Sequence, residues 1–396
     1  MTARRLVLAG APAFALALAL PLASPGDAAA GMLGGARFPA GFRSWKVTND
    51  STNAEAKISQ LYVPAVASLR LGSSADLVVS TAGASSKLDI AGGSPASDQS
   101  SSLSGASDVT AQLFWRLAGD RLLLQGGANL PSGKRELTAE EFAVTRALGH
   151  PLLGFGLKQY GQGFDVSGGA SIALPLGASS TFGVGGGFIQ HGSYTLLENG
   201  DDYKPAPEFS VSAGADFGGA ADAGSGGGGT LRLDGTVRVY GKDELDGAEI
   251  FQEGQQIELQ AQAQSAPSRL AAFALARLVL KGENTAFTGD GATLAEIKSK
   301  AGNDLLIQAG ADVPIAGSLR GGVDGEWNRF SGSDTPGYDG SAFGVGPTLG
   351  IPVGDGGWLR LRALLLFGSI EASAGQQKSD LSGFAATFAF RWRAGS

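Results

Sequence analysis

Two histidines, a lysine closing a glycine-rich run and two short clusters of aspartate are the residues of this chain that could do chemistry on their own. His191 stands two positions before Ser193, and a histidine–serine pair oriented by a third group is the machinery of acyl transfer. A single His-x-Ser is common by chance, and His150 has no such neighbour. The run Gly127-Ala128-Asn129-Leu130-Pro131-Ser132-Gly133-Lys134 superficially matches a phosphate loop. Its spacing is one residue too long, and Arg135 stands where a Ser or Thr should bind magnesium. Asp201-Asp202 and Asp243–Asp246 could take calcium weakly, but a solvated acidic loop explains them as well. With no cysteine there is no thiol chemistry and no thiolate-bound metal. No catalytic residue, metal site or cofactor is therefore assigned, and the chain is not expected to be an enzyme.

A larger set of polar residues is spaced differently. Arg116, Arg232, Arg238, Glu258, Gln260 and Gln262 each sit between apolar neighbours, one residue away on either side, and Asp234 sits between Leu233 and Gly235. So do Arg320, Asp324, Glu326, Arg360 and Arg362, with glycine among the interleaved positions. A period of two is a β-strand with two different faces. Val109, Ala111, Leu113, Trp115 and Leu117 alternate with Thr110, Gln112 and Arg116, and the rhythm runs from about Leu61 to Trp392. Candidate strands fall near 58–71, 75–84, 107–118, 121–130, 163–174, 181–192, 207–217 and 230–241, and then near 255–264, 269–281, 304–314, 318–329, 342–353, 358–369 and 382–393.

The first thirty residues belong to a different kind of segment. Arg4 and Arg5 precede an apolar stretch from Leu6 to Leu22, and Ala28-Ala29-Ala30 offers a cleavage site before Gly31. This predicts a signal peptide over 1–30 and a chain that leaves the cytoplasm. After Ala30 no apolar run approaches the roughly 20 residues of a spanning helix. Soluble domains seldom exceed roughly 250–300 residues, yet one uniform pattern fills the rest of the 396. The formal charge of −7 argues against a nucleic-acid partner.

Short turns such as Gly72-Ser73-Ser74, Ala118-Gly119-Asp120 and Ala316-Gly317 alternate with longer polar connections at 85–106, 131–162, 193–206, 242–254 and 282–303. Short turns on one rim and long loops on the other characterise bacterial outer-membrane barrels. The expected fold is thus an all-β transmembrane antiparallel β-barrel of about 16 strands in the bacterial outer membrane, with lipid outside and a wet lumen inside. A periplasmic N-terminus needs Phe42–Thr48 as an additional first strand. The alternative is 14 strands with residues 31–73 folded into the lumen as a plug. Residues 31–55 are accordingly a first strand or plug, and 56–396 the barrel.

Leu113, Trp115, Leu361, Leu365, Phe384 and Phe388 should face lipid. Trp115, Trp327, Trp358, Trp392 and Tyr240, near strand ends, should form aromatic girdles. The charged set above should line the lumen, where ion-pair ladders are expected; for any single residue, filling and stiffening the interior is the plainer reading. Phe273 and Leu275, with Val279, have inward parity and would make a greasy inner stripe suited to an apolar solute or a plug.

The stretch from about 56 to 217 resembles the outer-membrane proteins of the meta-pathway of phenol degradation, relatives in style of the long-chain fatty-acid transporters. The resemblance rests on Ile58-Ser59-Gln60-Leu61-Tyr62-Val63-Pro64, Gly105-Ala106-Ser107-Asp108, Gly127–Lys134 and Tyr203-Lys204-Pro205-Ala206-Pro207-Glu208-Phe209. Ala206-Pro207 departs from the family's usual Gly-Asp. Trp392 is followed by four further residues, where such barrels end on an aromatic residue read by the barrel-assembly machinery. The resemblance implies a barrel passing small hydrophobic solutes, which makes membrane lipid, that machinery and the solute its partners. A closed structural or partner-binding barrel and a general porin are the alternatives.

Overall fold

The computed structural model describes residues 33–91, 98–177, 179–218, 229–265, 270–288, 295–354, 357–371 and 377–392. The leader expected at 1–30 lies outside them. Sixteen antiparallel strands close into a barrel. In chain order they are β1 (Leu33–Asn49), β2 (Glu55–Leu71), β3 (Ala75–Ala91), β4 (Gln99–Ala106 continuing as Val109–Leu117), β5 (Leu122–Leu130), β6 (Asp165–Pro175), β7 (Ser180–His191) and β8 (Glu208–Gly218). The circuit continues with β9 (Thr230–Tyr240), β10 (Gln256–Gln264), β11 (Ala271–Lys281), β12 (Ala295–Ala316), β13 (Leu319–Ser333), β14 (Gly340–Val353), β15 (Gly357–Ile370) and β16 (Ser379–Trp392).

Closure is made by β1. It pairs with β2 along one edge (Trp45 opposite Ile58) and with β16 along the other (Trp45 opposite Gly383). This settles the two alternatives for residues 31–55. A segment hydrogen-bonded on both edges is part of the wall, so the 14-strand barrel with an N-terminal plug is wrong. Full pairing of every edge is also what lets a sheet sit in hydrocarbon.

The outward face is apolar and exposed: Leu113, Trp115, Leu365 (67%), Phe367, Phe384 and Phe388. Trp327, Phe343 and Phe367 stack across β13, β14 and β15, with ring centroids 5.9 and 5.6 Å apart. Charged residues turn inward instead. That inversion of a soluble barrel identifies lipid as the outer solvent and the bacterial outer membrane as the location. Among the described residues no helix is long and apolar enough to cross a membrane. Two of the expected girdle residues do not face lipid. Trp358 packs its indole toward the inner-face position of Gly350. Tyr240 has the parity of the buried, inward Arg238. Trp115 and Trp327 keep the expected outward direction.

Above the membrane band the long connections carry structure that alternation alone does not reveal. Strands Tyr194–Thr195, Asp202–Lys204, Asp243–Leu245, Ala248–Gln252 and Glu283–Thr288 pair with one another and with the first half of β12 as a raised wall. They read as polar loops in sequence because, standing above lipid, they need no apolar face. The connection 131–162 differs again. It contains helix α1 (Ala139–Leu148), started by a capping box between Thr138 and Glu141, and it folds into the lumen.

Candidate functional site

The inserted segment is held at its base by one carboxylate. In β4 the pairing with β3 slips by one residue between Ala106 and Thr110, a bulge centred on Ser107-Asp108. The Ser107 hydroxyl accepts the Ala82 N–H at 2.9 Å, and Asp108 is turned inward and buried. Its two oxygens accept the backbone N–H groups of Gly133 and Gln162, each at 2.7 Å, and the amide of Asn129 at 3.0 Å. Asp108 therefore clasps both ends of the insertion. A side chain at Gly133 would meet the Tyr160 carbonyl at 2.0 Å, so the close approach of the two ends requires glycine.

From this clasp the segment crosses to the opposite wall. Leu137, Val144, Leu148, Leu152, Leu153, Phe155 and Tyr160 bury themselves against Ile58, Leu88 and Leu103 on one side and Phe330, Leu364 and Leu381 on the other. Trp45 Nε1 and Arg43 Nη1 both donate to the Leu153 carbonyl, at 2.8 and 3.0 Å. Gln60 donates to the Leu157 carbonyl and accepts the Leu157 N–H, at 2.6 and 3.0 Å. Asn328 donates to the Pro151 carbonyl at 2.9 Å. His150 accepts the Leu152 N–H at its Nδ1 and meets the Gly337 carbonyl through Nε2. Burial keeps its pKa below the ordinary imidazole value, against the pull of the Gly337 contact.

Charged residues of inward parity meet one another, and five strands share one ladder. Glu326 binds Arg43 at 2.6 Å and Arg362 at 3.1 Å; Asp324, only 3% exposed, binds Arg362 at 3.1 Å and Arg360 at 3.0 Å. Arg360 reaches Asp312 at 3.7 Å, where Thr348 also donates. The side chains can reach over β14 and β16 because those strands present Gly344, Gly346, Gly383 and Ala385 inward. A Cβ at Gly344 would stand 2.9 Å from Glu326 Cγ.

The remaining candidates form smaller groups. Arg238 sits between Glu208 and Glu258, Arg232 pairs with Asp234, Arg116 with Asp76, and Arg320 donates to the Asp312 carbonyl. Gln260 and Gln262 lie opposite Arg277 and Leu275 in the β10–β11 ladder. Phe273 turns inward beneath the Arg360 guanidinium, 5.6 Å from its ring centroid. His191 points into the lumen, hydrogen-bonded to Asp165 at 2.9 Å, and not toward the lipid-facing wall that a membrane hydrolase would need. The aspartates considered for calcium serve the raised wall: Asp243 accepts from Tyr203 and from the Ala206 N–H, and Asp246 from the Asp202 N–H.

A cavity of about 510 Å³ remains between the insertion and β10–β13, bordered also by Arg43 and Trp45 of β1 and Ala342 of β14. Leu152, Phe155 and Lys158 line one side; Arg277, Val279, Asp304, Leu306, Asn328 and Phe330 line the other; Glu253 and Lys281 stand above. Arg277, Leu306 and Asn328 are level with one another across β11, β12 and β13. Four buried polar atoms here lack a protein partner: Glu253 Oε2, Arg277 Nε, Asp304 Oδ1 and Asn328 Oδ1. Sequence reasoning passed over these residues. Arg277 was legible, since it shares the parity of Phe273, Leu275 and Val279 and breaks the apolar stripe expected there. Lys158 carried no signal, because nothing local says that its loop turns inward.

No family model and no curated protein matches the chain, so the likeness to the phenol-degradation family gains no support from these comparisons. Among solved structures, OccK2 (OpdF) of Pseudomonas aeruginosa is 11% identical over 92% of this chain and 100% of its own, with a TM-score of 0.44. OpdQ of the same organism is 10% identical over 90% and 97%, with a TM-score of 0.43. The outer membrane channel DcaP of Acinetobacter baumannii is 12% identical over 90% and 96%, with a TM-score of 0.41. Superpositions this loose leave function to be argued from the barrel itself.

Proposed function

We propose that this barrel is a passive outer-membrane channel for small organic molecules with an apolar or aromatic part. The observation that carries the reading is the insertion of 131–162, which fills one half of the lumen and leaves a cavity of about 510 Å³ beside the other. A wall-to-wall plug would leave no such space, and an unobstructed porin would have no packed insertion. Selectivity then comes from the shape and lining of the gap. Leu306 offers apolar surface there, flanked by the edges of the buried Val279, Phe155 and Phe330. A solute burying itself on that surface gains roughly 25 cal/mol per Å², enough for a transient stop and not for capture. Phe273 and Leu275 lie further along β11 and extend the apolar track past the gap.

A sealed structural barrel is the competing reading, and the depth of packing around Trp45 and Leu153 favours it. Uptake into liposomes containing the purified protein separates the two, with an aromatic acid, a fatty acid and a disaccharide as solutes. The channel reading expects the aromatic acid to enter faster than the disaccharide. Entry of none of the three supports the sealed barrel, and faster disaccharide entry supports a general porin.

A further inference from the structure

Resting on the channel reading, we propose that the cavity between the insertion and β11–β13 is a subsite for a small zwitterion, an ammonium and a carboxylate carried on one apolar body. The argument begins with charge balance. The lining holds four cations, Arg43, Lys158, Arg277 and Lys281, and four carboxylates, Glu253, Glu258, Asp304 and Glu326. With every carboxylate ionised its formal charge is zero, so it favours neither anions nor cations as a class. A solute that is neutral overall but carries both charges leaves that balance undisturbed.

The second observation is what the lining side chains leave unused. Four of them are each fixed by one hydrogen bond inside the protein and keep another buried polar atom open. Glu253 accepts the Gln256 amide on Oε1 and keeps Oε2. Asp304 accepts Arg277 Nη2 on Oδ2 at 3.3 Å and keeps Oδ1, while Arg277 keeps Nε. Asn328 donates to the Pro151 carbonyl at 2.9 Å and keeps Oδ1. The open set is three acceptors and one donor. An ammonium brings only donors and a carboxylate only acceptors. A solute with both serves the three oxygens and Arg277 Nε together, whereas a singly charged one leaves one sign unmet, and an unmet buried group is costly.

Strand register places most of these groups within reach of one small molecule. Arg277, Leu306 and Asn328 are level, and Asp304 is the next inward residue of β12, opposite Val279 and Phe330. With strands about 4.8 Å apart and two residues of strand spanning about 7 Å, the backbones of Arg277, Asp304 and Asn328 fall within about 10 Å of one another. Leu306 lies between them as the surface for the apolar body. The volume of about 510 Å³ falls in the usual range of small-molecule sites, roughly 300–1,000 Å³.

The test is calorimetric titration of the purified full-length protein, at a pH of about 8 where Glu253 is ionised. The probes are phenylalanine, 3-phenylpropionate and phenethylammonium, which share one apolar body and carry both charges, the negative one alone or the positive one alone. Phenylalanine is expected to bind about tenfold or more tightly than either of the others, the size of one charge-assisted contact. Asp304→Asn and Glu253→Gln should each remove most of its advantage over 3-phenylpropionate, and Arg277→Gln most of its advantage over phenethylammonium. Lys46→Gln, which breaks an exposed pair with Glu55 at the rim, should change neither ratio. Heat-modifiable gel migration reports that each variant is folded. Equal affinity for the three probes, binding of none, or tighter binding of a singly charged probe would overturn the subsite. So would unchanged ratios in folded Asp304→Asn and Arg277→Gln. Titration needs no conduction. Phenylalanine binding by a protein that passes nothing in liposomes would thus refute the channel reading and leave the subsite standing.

Discussion

The two halves of the lumen are built on opposite terms. From β14 through β16 to β4 the inner wall is covered by the insertion, Arg43, Arg360 and Arg362 share the carboxylates of Asp324, Glu326 and Asp312, and glycine and alanine on alternate strands let the pairs reach across. From β5 to β7 the inner face is mostly uncharged, with Gln125, Gly127, Ser167, Gly169, Ser171, Gly183, Gly185 and Gly187, and its Asp165 and His191 are bound to each other, while β11 and β12 carry Arg277, Lys281 and Asp304 beside a cavity. The same barrel thus holds a folded core and a cavity side by side. Rigidity belongs to the side where Arg43, Trp45 and Gln60 anchor the insertion. The cavity side carries Glu253 Oε2, Arg277 Nε, Asp304 Oδ1 and Asn328 Oδ1 without a hydrogen-bond partner, and such buried groups are costly until something binds them.

This contrast can be broken at several points, and the largest effect should come from the ladder. Asp324→Ala leaves Arg360 and Arg362 without their shared carboxylate and should cost about 3 kcal/mol of barrel stability. Arg277→Gln on the cavity side removes a long, partly exposed pair and should cost less than about 1 kcal/mol. Comparable losses in urea unfolding from vesicles would erase the distinction. Next in size is the outer face. Leu365→Arg should cost about 2–4 kcal/mol if near the bilayer midplane, whereas Gln260→Arg, facing the lumen, should be tolerated. Equal damage from both would mean that the two faces are misassigned.

A smaller loss, about 1–3 kcal/mol, is expected for Asp108→Ala, which orphans two backbone N–H groups. Its signature should be local: faster proteolysis within 131–162 and an otherwise intact barrel. Global unfolding would contradict the clasp. The smallest effect is one of pH. Burial pushes the Glu253 carboxyl up to about 7; Lys281 and the bond from Gln256 oppose this, and Asp243 and Glu208 add to it. Above that pH the group is charged and below it neutral. Acidification from about 8 to 6 therefore removes a negative charge from the cavity and should raise anion selectivity. The reversal potential under a salt gradient reports it. Glu253→Gln should abolish the pH step, and persistence of the step in that variant would contradict the assignment.

The wall was legible because lipid imposes a strict rule. Every second residue must be apolar and every edge paired, so the strands announce themselves, and alternation gives Arg116, Asp324, Glu326 and Arg362 one shared parity. The evenness of the count and a periplasmic start led to Phe42–Thr48, which is the middle of β1. The insertion obeys no such rule. Leu137, Val144, Leu148, Leu152, Leu153 and Phe155 face a core made of distant strands, and their spacing fits no single period. A partial signal was present, since Thr138-Ala139-Glu140-Glu141 is a helix-start pattern inside a supposed loop. Ser107-Asp108 and Gly127–Lys134 read as separate motifs. They meet only because a bulge turns Asp108 toward Gly133, a contact that depends on register and not on either motif alone.

The central claim is that the insertion sets the width of an open path, and paired planar-bilayer recordings test it directly. They compare the unaltered protein with a variant in which residues 134–160 are replaced by a short glycine–serine linker. The account predicts discrete conductance steps for the unaltered protein and several-fold larger ones for the variant. Steps of equal size in both would contradict it, as would an unaltered protein that conducts nothing.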